Sequence, residues 1–202
     1  MIHYFLGRDL ADRLDIPLAR WKRWAREFLP PDPLGGLQSG YARHYSIDEA
    51  FTVYLAGNLV SGSRFSIPEV RAILADLHHW LAGQGYRTGA AAEKMLENRD
   101  GLPVLEHLIL VDRQPVASDL PSGFAYTIRA VIERRQLTGH RRPIHQERYR
   151  ITRLGGGQDR ESHRRSMEQR WIWITRILRR FAEQMEIHPL LFAVLGPDIE
   201  MP

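Results

Sequence analysis

The sequence predicts an α+β fold, with a helical first half and a second half that contains β-strands and ends in an amphipathic helix. Three observations support this prediction. Apolar residues recur at helical spacing between residues 8 and 82. Stretches rich in β-branched and aromatic residues lie between prolines and glycines beyond residue 103. The apolar residues of segment 167–185 are again spaced by four and three, as on a helix. The domains predicted from these patterns are 1–83 and 84–202.

The first two predicted helices are short and lie close together. Leu10, Ala11 and Leu14 give the first an apolar side, and Pro17 suits the first turn of the second, where a missing N–H costs nothing. Trp21 and Trp24 of the second helix are large apolar anchors, and we expect them to pack in a small core. The same helix also carries four basic side chains: Arg20, Lys22, Arg23 and Arg26. Two helices joined by a tight turn, the second of them basic, are typical of a helix-turn-helix.

A glycine-rich loop and two further helices complete the predicted first domain. Residues 34–40 indicate a loop or hairpin tip, and residues 41–45 then favour the returning strand of a small wing. Ser46 with Glu49, and Ser66 with Glu69, have the spacing of capping boxes, in which each side chain satisfies the other residue's free amide.

The second half is predicted to hold strands before its last helix. Residues 104–111 and 148–154 favour strands, whereas residues 124–132 allow strand or helix. A short helix is expected over residues 89–97, and glycines 155–157 indicate a hinge. The last helix is predicted to form a helix–helix contact between copies of the chain. Its contact residues are Met167, Trp171, Ile174, Leu178, Phe181 and Met185.

Positive charge is concentrated in one segment. The chain has 28 basic residues, 26 of them arginine, and a formal net charge of only +4. Residues 129–180 hold 15 basic and 5 acidic residues, which gives this segment a net charge of +10. Basic clusters attract polyanions, above all nucleic acids. The segment therefore predicts either a second nucleic-acid surface or the solvated face of an oligomerising domain. The arginines of the first alternative are Arg134, Arg135, Arg141, Arg142, Arg148, Arg150 and Arg153.

Several classes of function are not supported by the sequence. Cysteine is absent, so disulfides, thiolate metal sites and cysteine nucleophiles are excluded. The histidines lack a metal-binding spacing, and neither a phosphate-binding loop nor a serine-nucleophile motif is present. We therefore expect no enzyme activity, no cofactor and no metal. No apolar run reaches about 18 residues and the N-terminus does not resemble a secretion signal, which predicts a cytoplasmic, nucleoid-associated protein without membrane contact.

The order of motifs over residues 6–82 resembles the DNA-binding domain of MerR-type regulators. The resemblance is carried by Leu10–Ile16, by Phe28-Leu29-Pro30-Pro31, by Gly40–Ser46 and by Phe65–Val70. It implies a winged helix-turn-helix that binds double-stranded DNA, with the basic helix in the major groove and the wing beside it. The expected DNA-contacting residues are Arg20, Lys22, Arg23, Arg26, Tyr41, Arg43, His44 and Tyr45.

The sequence thus predicts a sequence-specific transcription regulator that acts as a homo-oligomer, namely a dimer. Response to a small-molecule effector of unknown identity is compatible with this prediction. The first alternative is an architectural or phage-type DNA-handling protein, such as an excisionase-like, packaging or chromosome-organising factor. The second alternative is a protein–protein adaptor whose winged domain binds no DNA.

Overall fold

The computed structural model describes residues 4–32, 42–86, 105–113, 123–137, 144–155 and 169–187. Within these ranges the chain has five α-helices and two antiparallel sheets, so the predicted α+β class is confirmed. None of the five helices is both long and apolar enough to cross a membrane. The elements are β1 (Phe5–Leu6), α1 (Gly7–Arg13), α2 (Leu18–Phe28), β2 (His44–Tyr45), α3 (Ile47–Ser61), α4 (Ile67–Gly83), β3 (Glu106–Arg113), β4 (Phe124–Leu137), β5 (Ile144–Leu154), β6 (Gln169–Ile172) and α5 (Ile174–Gln184).

The α1–α2 unit forms as its apolar spacing predicts. Asp15 turns the chain between the helices with a φ of 51°, and α2 begins directly after Pro17. Trp21 and Trp24 are buried, which confirms that they are core residues. Trp24 packs against α3 at Gly57, where a Cβ atom would lie only 2.3 Å from Cζ3 of the indole ring. The absence of a side chain at Gly57 therefore lets α2 approach α3 closely.

Both predicted capping boxes are present and begin α3 and α4. The backbone N–H of Glu49 donates to Ser46 Oγ at 3.2 Å, and Glu49 Oε2 accepts from the Ser46 N–H at 2.9 Å. Ser66 and Glu69 repeat the arrangement at the start of α4. These bonds satisfy amide groups that have no partner within the helix.

The second sheet is antiparallel throughout, with the strand order β5–β4–β3–β6. In its centre Ile109 of β3 is opposite Ile128 of β4 and Ile172 of β6, and all three side chains are buried. The segment 124–132, for which strand and helix were both open, lies wholly within β4.

The described part of the expected wing pairs with the start of the chain. His44 and Tyr45 of β2 lie opposite Leu6 and Phe5 of β1 in an antiparallel pair. Residues 33–41, which include the loop and Tyr41, lie outside the described ranges, as do the helix expected over residues 89–97 and Arg141 and Arg142.

The predicted last helix is shorter than expected, and its apolar face is internal. Trp171 belongs to strand β6, because α5 begins only at Ile174. The four contact residues on and just after α5 are buried within a single chain: Ile174, Leu178, Phe181 and Met185. The ring of Phe181 lies 5.4 Å from the rings of both Phe51 and Tyr54 of α3. Because contacts within one chain already bury these four side chains, the prediction that they form a contact between copies is wrong. Met167 lies outside the described ranges.

A buried polar cluster joins the segment just after α4, the second sheet and α5. The Tyr86 hydroxyl lies 2.9 Å from His107 Nδ1 and 2.6 Å from Thr175 Oγ1, and Thr175 Oγ1 also accepts from the backbone N–H of His107 at 2.8 Å. Burial, with a contribution from the positive charge of Arg150, lowers the pKa of His107 to about 4. The hydrophobic core likewise runs without interruption from α1 to α5, across the predicted domain boundary near residue 83.

Candidate nucleic-acid interface

The outward side of α2 is basic. Successive helical residues are separated by about 100°, so Lys22, Arg23 and Arg26 lie around Ala19 on the side opposite Trp21. All four of these outward residues are exposed. A small residue surrounded by three long cations allows a polyanion to approach the helix closely.

Arg20 is exposed on a different flank of α2. Its guanidinium carbon lies 5.9 Å from the centre of the Trp24 ring, a cation–π contact across the edge of the core. Its side chain therefore covers Trp24 and does not share the direction of the three outward cations.

A groove of about 970 Å³ lies beside the outward side of α2. Lys22 and Arg26 line one of its walls, and Arg8, at the start of α1, and Arg43, just before β2, line others. Two acidic residues, Asp9 and Asp32, also line it. Four cations from three separate parts of the chain thus meet around one concave surface. The groove suits an anionic chain that follows α2.

The Arg43 guanidinium is bonded to two other parts of the same chain. Its guanidinium donates to Glu49 Oε1 at 2.8 Å and to the carbonyl oxygen of Pro30 at 2.9 Å. Burial alone raises the pKa of the Glu49 carboxyl, but hydrogen bonds from Ser46 and Arg43 and the charge of Arg43 lower it overall. Arg43 therefore ties the end of α2 to the start of α3. Its part in the candidate interface is to hold the groove wall in place as well as to add charge to it.

Tyr45 lies in the core rather than on the surface. The sequence predicts a phosphate contact for Tyr45, yet only 5% of the residue is exposed, and its ring meets Trp21 edge-on at 5.7 Å. Burial raises the pKa of its hydroxyl. Tyr45 thus packs against the buried side of α2 through Trp21, whereas the neighbouring His44 is exposed. Alternation along β2 explains this difference, because successive side chains point to opposite faces.

Arg8 is a candidate that the sequence-based reasoning missed. It is exposed at the first turn of α1 and lines the same groove as Lys22 and Arg26. Its position in the sequence could have indicated this role, because the start of the first helix of a helix-turn-helix lies near the second helix.

The described arginines of segment 129–180 differ in what they contact. Some bind acidic residues: Arg134 contacts Glu147 at 2.7 Å and Glu106 at 3.1 Å, and Arg176 donates to Glu106 at 2.5 Å. These ion pairs neutralise part of the charge. Three further arginines are exposed along the edge strand β5: Arg148, Arg150 and Arg153.

Comparisons of the chain with protein-family models, with curated proteins and with solved structures each find no match.

Proposed function

We propose that the chain is a sequence-specific transcription regulator that binds double-stranded DNA, with α2 in the major groove. The observation that carries the proposal is the outward side of α2, where Lys22, Arg23 and Arg26 are exposed around Ala19. An α-helix fits the major groove, and arginine and lysine there pair with guanine edges or with phosphates. The MerR-like order of motifs over residues 6–82 is consistent with the same use of this helix.

The groove beside α2 supports the same placement of DNA. Arg8 and Arg43 line its walls, and Arg43 is held there by its bonds to Glu49 and Pro30. Contacts from such flanking cations to the phosphate backbone fix the orientation of a duplex, while residues on the helix read its sequence. Response to a small-molecule effector remains part of this proposal without a residue assigned to it.

A regulator of this kind would bind a palindromic operator as a dimer, because two-fold symmetry of the protein matches that of the site. Such a dimer would use a surface other than the apolar side of α5. That side is already filled by α3 of the same chain.

Selection of bound sequences from a random duplex library, followed by gel shifts on the selected site, tests the proposal. Arg23→Ala is expected to weaken binding about 10-fold or more, as loss of a base contact does. Arg180→Ala removes an exposed arginine from α5 and is the matched control, with an expected change of less than about 2-fold. Failure to enrich any sequence, or equal losses in both variants, would contradict the proposal.

The exposed arginines of β5 favour a second candidate, an architectural DNA-handling protein. Arg148, Arg150 and Arg153 add a cationic surface on a different part of the chain from α2. An architectural protein protects long tracts with little sequence preference, whereas a regulator protects a short defined site. Footprinting at two salt concentrations separates the two, because non-specific binding depends almost wholly on phosphate contacts and falls steeply with salt.

A further inference from the structure

Strand β5 forms one edge of the four-stranded sheet and is exposed along most of its length. Among the described strands it pairs only with β4, and its residues 146–153 are all exposed. Tyr149 and Ile151 have exposed fractions of 46% and 42%. Because an edge strand presents backbone N–H and C=O groups along its outer side, β5 is a template on which another strand can pair.

Strand β5 lacks most of the features that keep an edge strand from pairing. Short length, proline and bulges are the usual protections of an edge. β5 is 11 residues long and contains no proline. The irregularity in its pairing with β4 lies between Val131 and Glu133, so the extra residue belongs to β4. The protection that remains is charge, and charge therefore decides which strand β5 can pair with.

The charges of β5 favour one register for pairing with a second copy. When two identical antiparallel strands pair about a two-fold axis, the residue at the axis lies opposite its own copy. An axis at Glu147, Arg148 or Arg150 would place that charged residue opposite itself. An axis at residue 149 would place Arg148 opposite Arg150, and like charges directly opposite each other are destabilising. Of the axes that avoid such pairs, the axis at Ile151 joins the longest part of the strand.

This register covers the exposed side chains of Tyr149 and Ile151. On one face of the sheet, Ile151 lies opposite its own copy, and Tyr149 lies opposite Arg153 in two equivalent pairs. Each Tyr149–Arg153 pair allows a cation–π contact. On the other face Arg150 lies opposite Thr152, and the nearest like charges are the two Arg150 side chains, diagonal neighbours about 7–8 Å apart. The pattern therefore favours a second copy of the chain as the occupant of this edge.

We propose that β5 pairs with β5 of a second copy, with Ile151 at the two-fold axis. Residues 148–154 of the two copies would then join both four-stranded sheets into one continuous sheet. The pairing occupies the long edge of each copy, so the assembly closes as a dimer. The inference rests on the proposed function for the need of a dimer, and it deepens that function by naming the surface through which the regulator dimerises.

Cysteine cross-linking of the full chain tests the register. The chain has no cysteine, so Ile151→Cys introduces a single thiol. Opposite residues of antiparallel strands have Cα atoms about 4.5–5.5 Å apart, which a disulfide can bridge. Gln146→Cys is the matched control on the same strand, because its two thiols would be about 30 Å apart. Under a mild oxidant and without DNA, Ile151→Cys is expected to form linked dimers about 10-fold or more faster than Gln146→Cys.

Sedimentation velocity without DNA tests the dimer itself. The wild-type chain is expected to be dimeric at about 50 μM. Ile151→Arg places two cations opposite each other at the axis and is expected to raise the Kd of the dimer about 10-fold or more. Tyr4→Arg makes the same kind of change at a residue that is 61% exposed before β1, and it should alter the Kd by less than about 2-fold. Circular dichroism establishes that each variant is folded.

Three results would overturn the inference. They are cross-linking of Ile151→Cys no faster than that of Gln146→Cys, a wild-type chain that stays monomeric, and a dimer that a folded Ile151→Arg variant leaves intact. Because both measurements are made without DNA, their failure is distinguishable from failure of the proposed function. A dimer of this register that selects no DNA sequence would contradict the proposed function alone, whereas sequence-specific binding without this dimer would contradict the inference alone.

Discussion

Replacement of Gly57 by alanine tests how tightly α2 is packed against α3. Alanine is a better residue than glycine in a helix interior by about 1 kcal/mol, so α3 alone would gain stability. The added Cβ atom, however, would lie 2.3, 2.4 and 2.7 Å from three carbons of the Trp24 ring. Carbon atoms in contact are about 3.5–4.0 Å apart, so the ring or the helix would have to move by more than about 1 Å.

The overlap is expected to outweigh the gain in helix propensity. Forced overpacking costs about 1–3 kcal/mol, and Trp24 has little room to move because it is only 7% exposed. We therefore expect Gly57→Ala to lower the free energy of unfolding by about 1–2 kcal/mol. Urea titration followed by circular dichroism measures this change.

A second substitution separates overlap from any other effect of the alanine. In a Trp24→Leu background the ring is gone, so Gly57→Ala should be neutral or stabilising, and the two changes should show a coupling energy. A Gly57→Ala variant that is as stable as the wild type, or more stable, would refute the close packing of Trp24 on α3.

Three further predictions concern stability. Because the pKa of His107 is about 4 when folded and its ordinary value is 6.5, the unfolded chain binds the proton first as pH falls. The free energy of unfolding should thus fall by about 3 kcal/mol between pH 6.5 and pH 4 through this residue, and urea titrations of His107→Gln should lack that part of the decline. Ser46→Ala removes the capping box of α3 and should lower the free energy of unfolding by about 1 kcal/mol, whereas Ser61→Ala in the last turn of the same helix should change it little; equal effects in urea titrations would contradict the cap. Phe181→Ala should cost about 3–5 kcal/mol without altering the oligomeric state of the folded protein, and gel filtration that shows dissociation would contradict the internal position of this ring.

Local signals in the sequence were sufficient to predict much of the first half. The capping boxes at Ser46 and Ser66 act between residues three positions apart, so their spacing alone predicts the starts of α3 and α4. The burial of Trp21 and Trp24 follows from their position on an amphipathic helix. For the same reason the outward direction of Lys22 and Arg23 could be predicted before the structure was known.

Long-range contacts could not be predicted in the same way. The spacing of Ile174, Leu178 and Phe181 shows that one side of α5 is buried, but spacing does not show whether α3 or a second chain covers it. Trp171 fits the same spacing although it lies on β6. The position of Arg43 beside Glu49 depends on how the end of α2 meets the start of α3, which no local pattern records.

The contact of α5 with α3 makes the two halves of the chain depend on each other. Phe181 covers Phe51 and Tyr54, the Tyr54 hydroxyl donates to Gln184 Oε1 at 2.9 Å, and Arg13 donates to the carbonyl oxygen of Met185 at 3.3 Å. A fragment that ends near residue 83 would expose the apolar surface of α3 around Phe51 and Tyr54, and it would therefore tend to aggregate. The helical half is therefore not an independent folding unit, and a protein into which it is inserted would also have to contain α5.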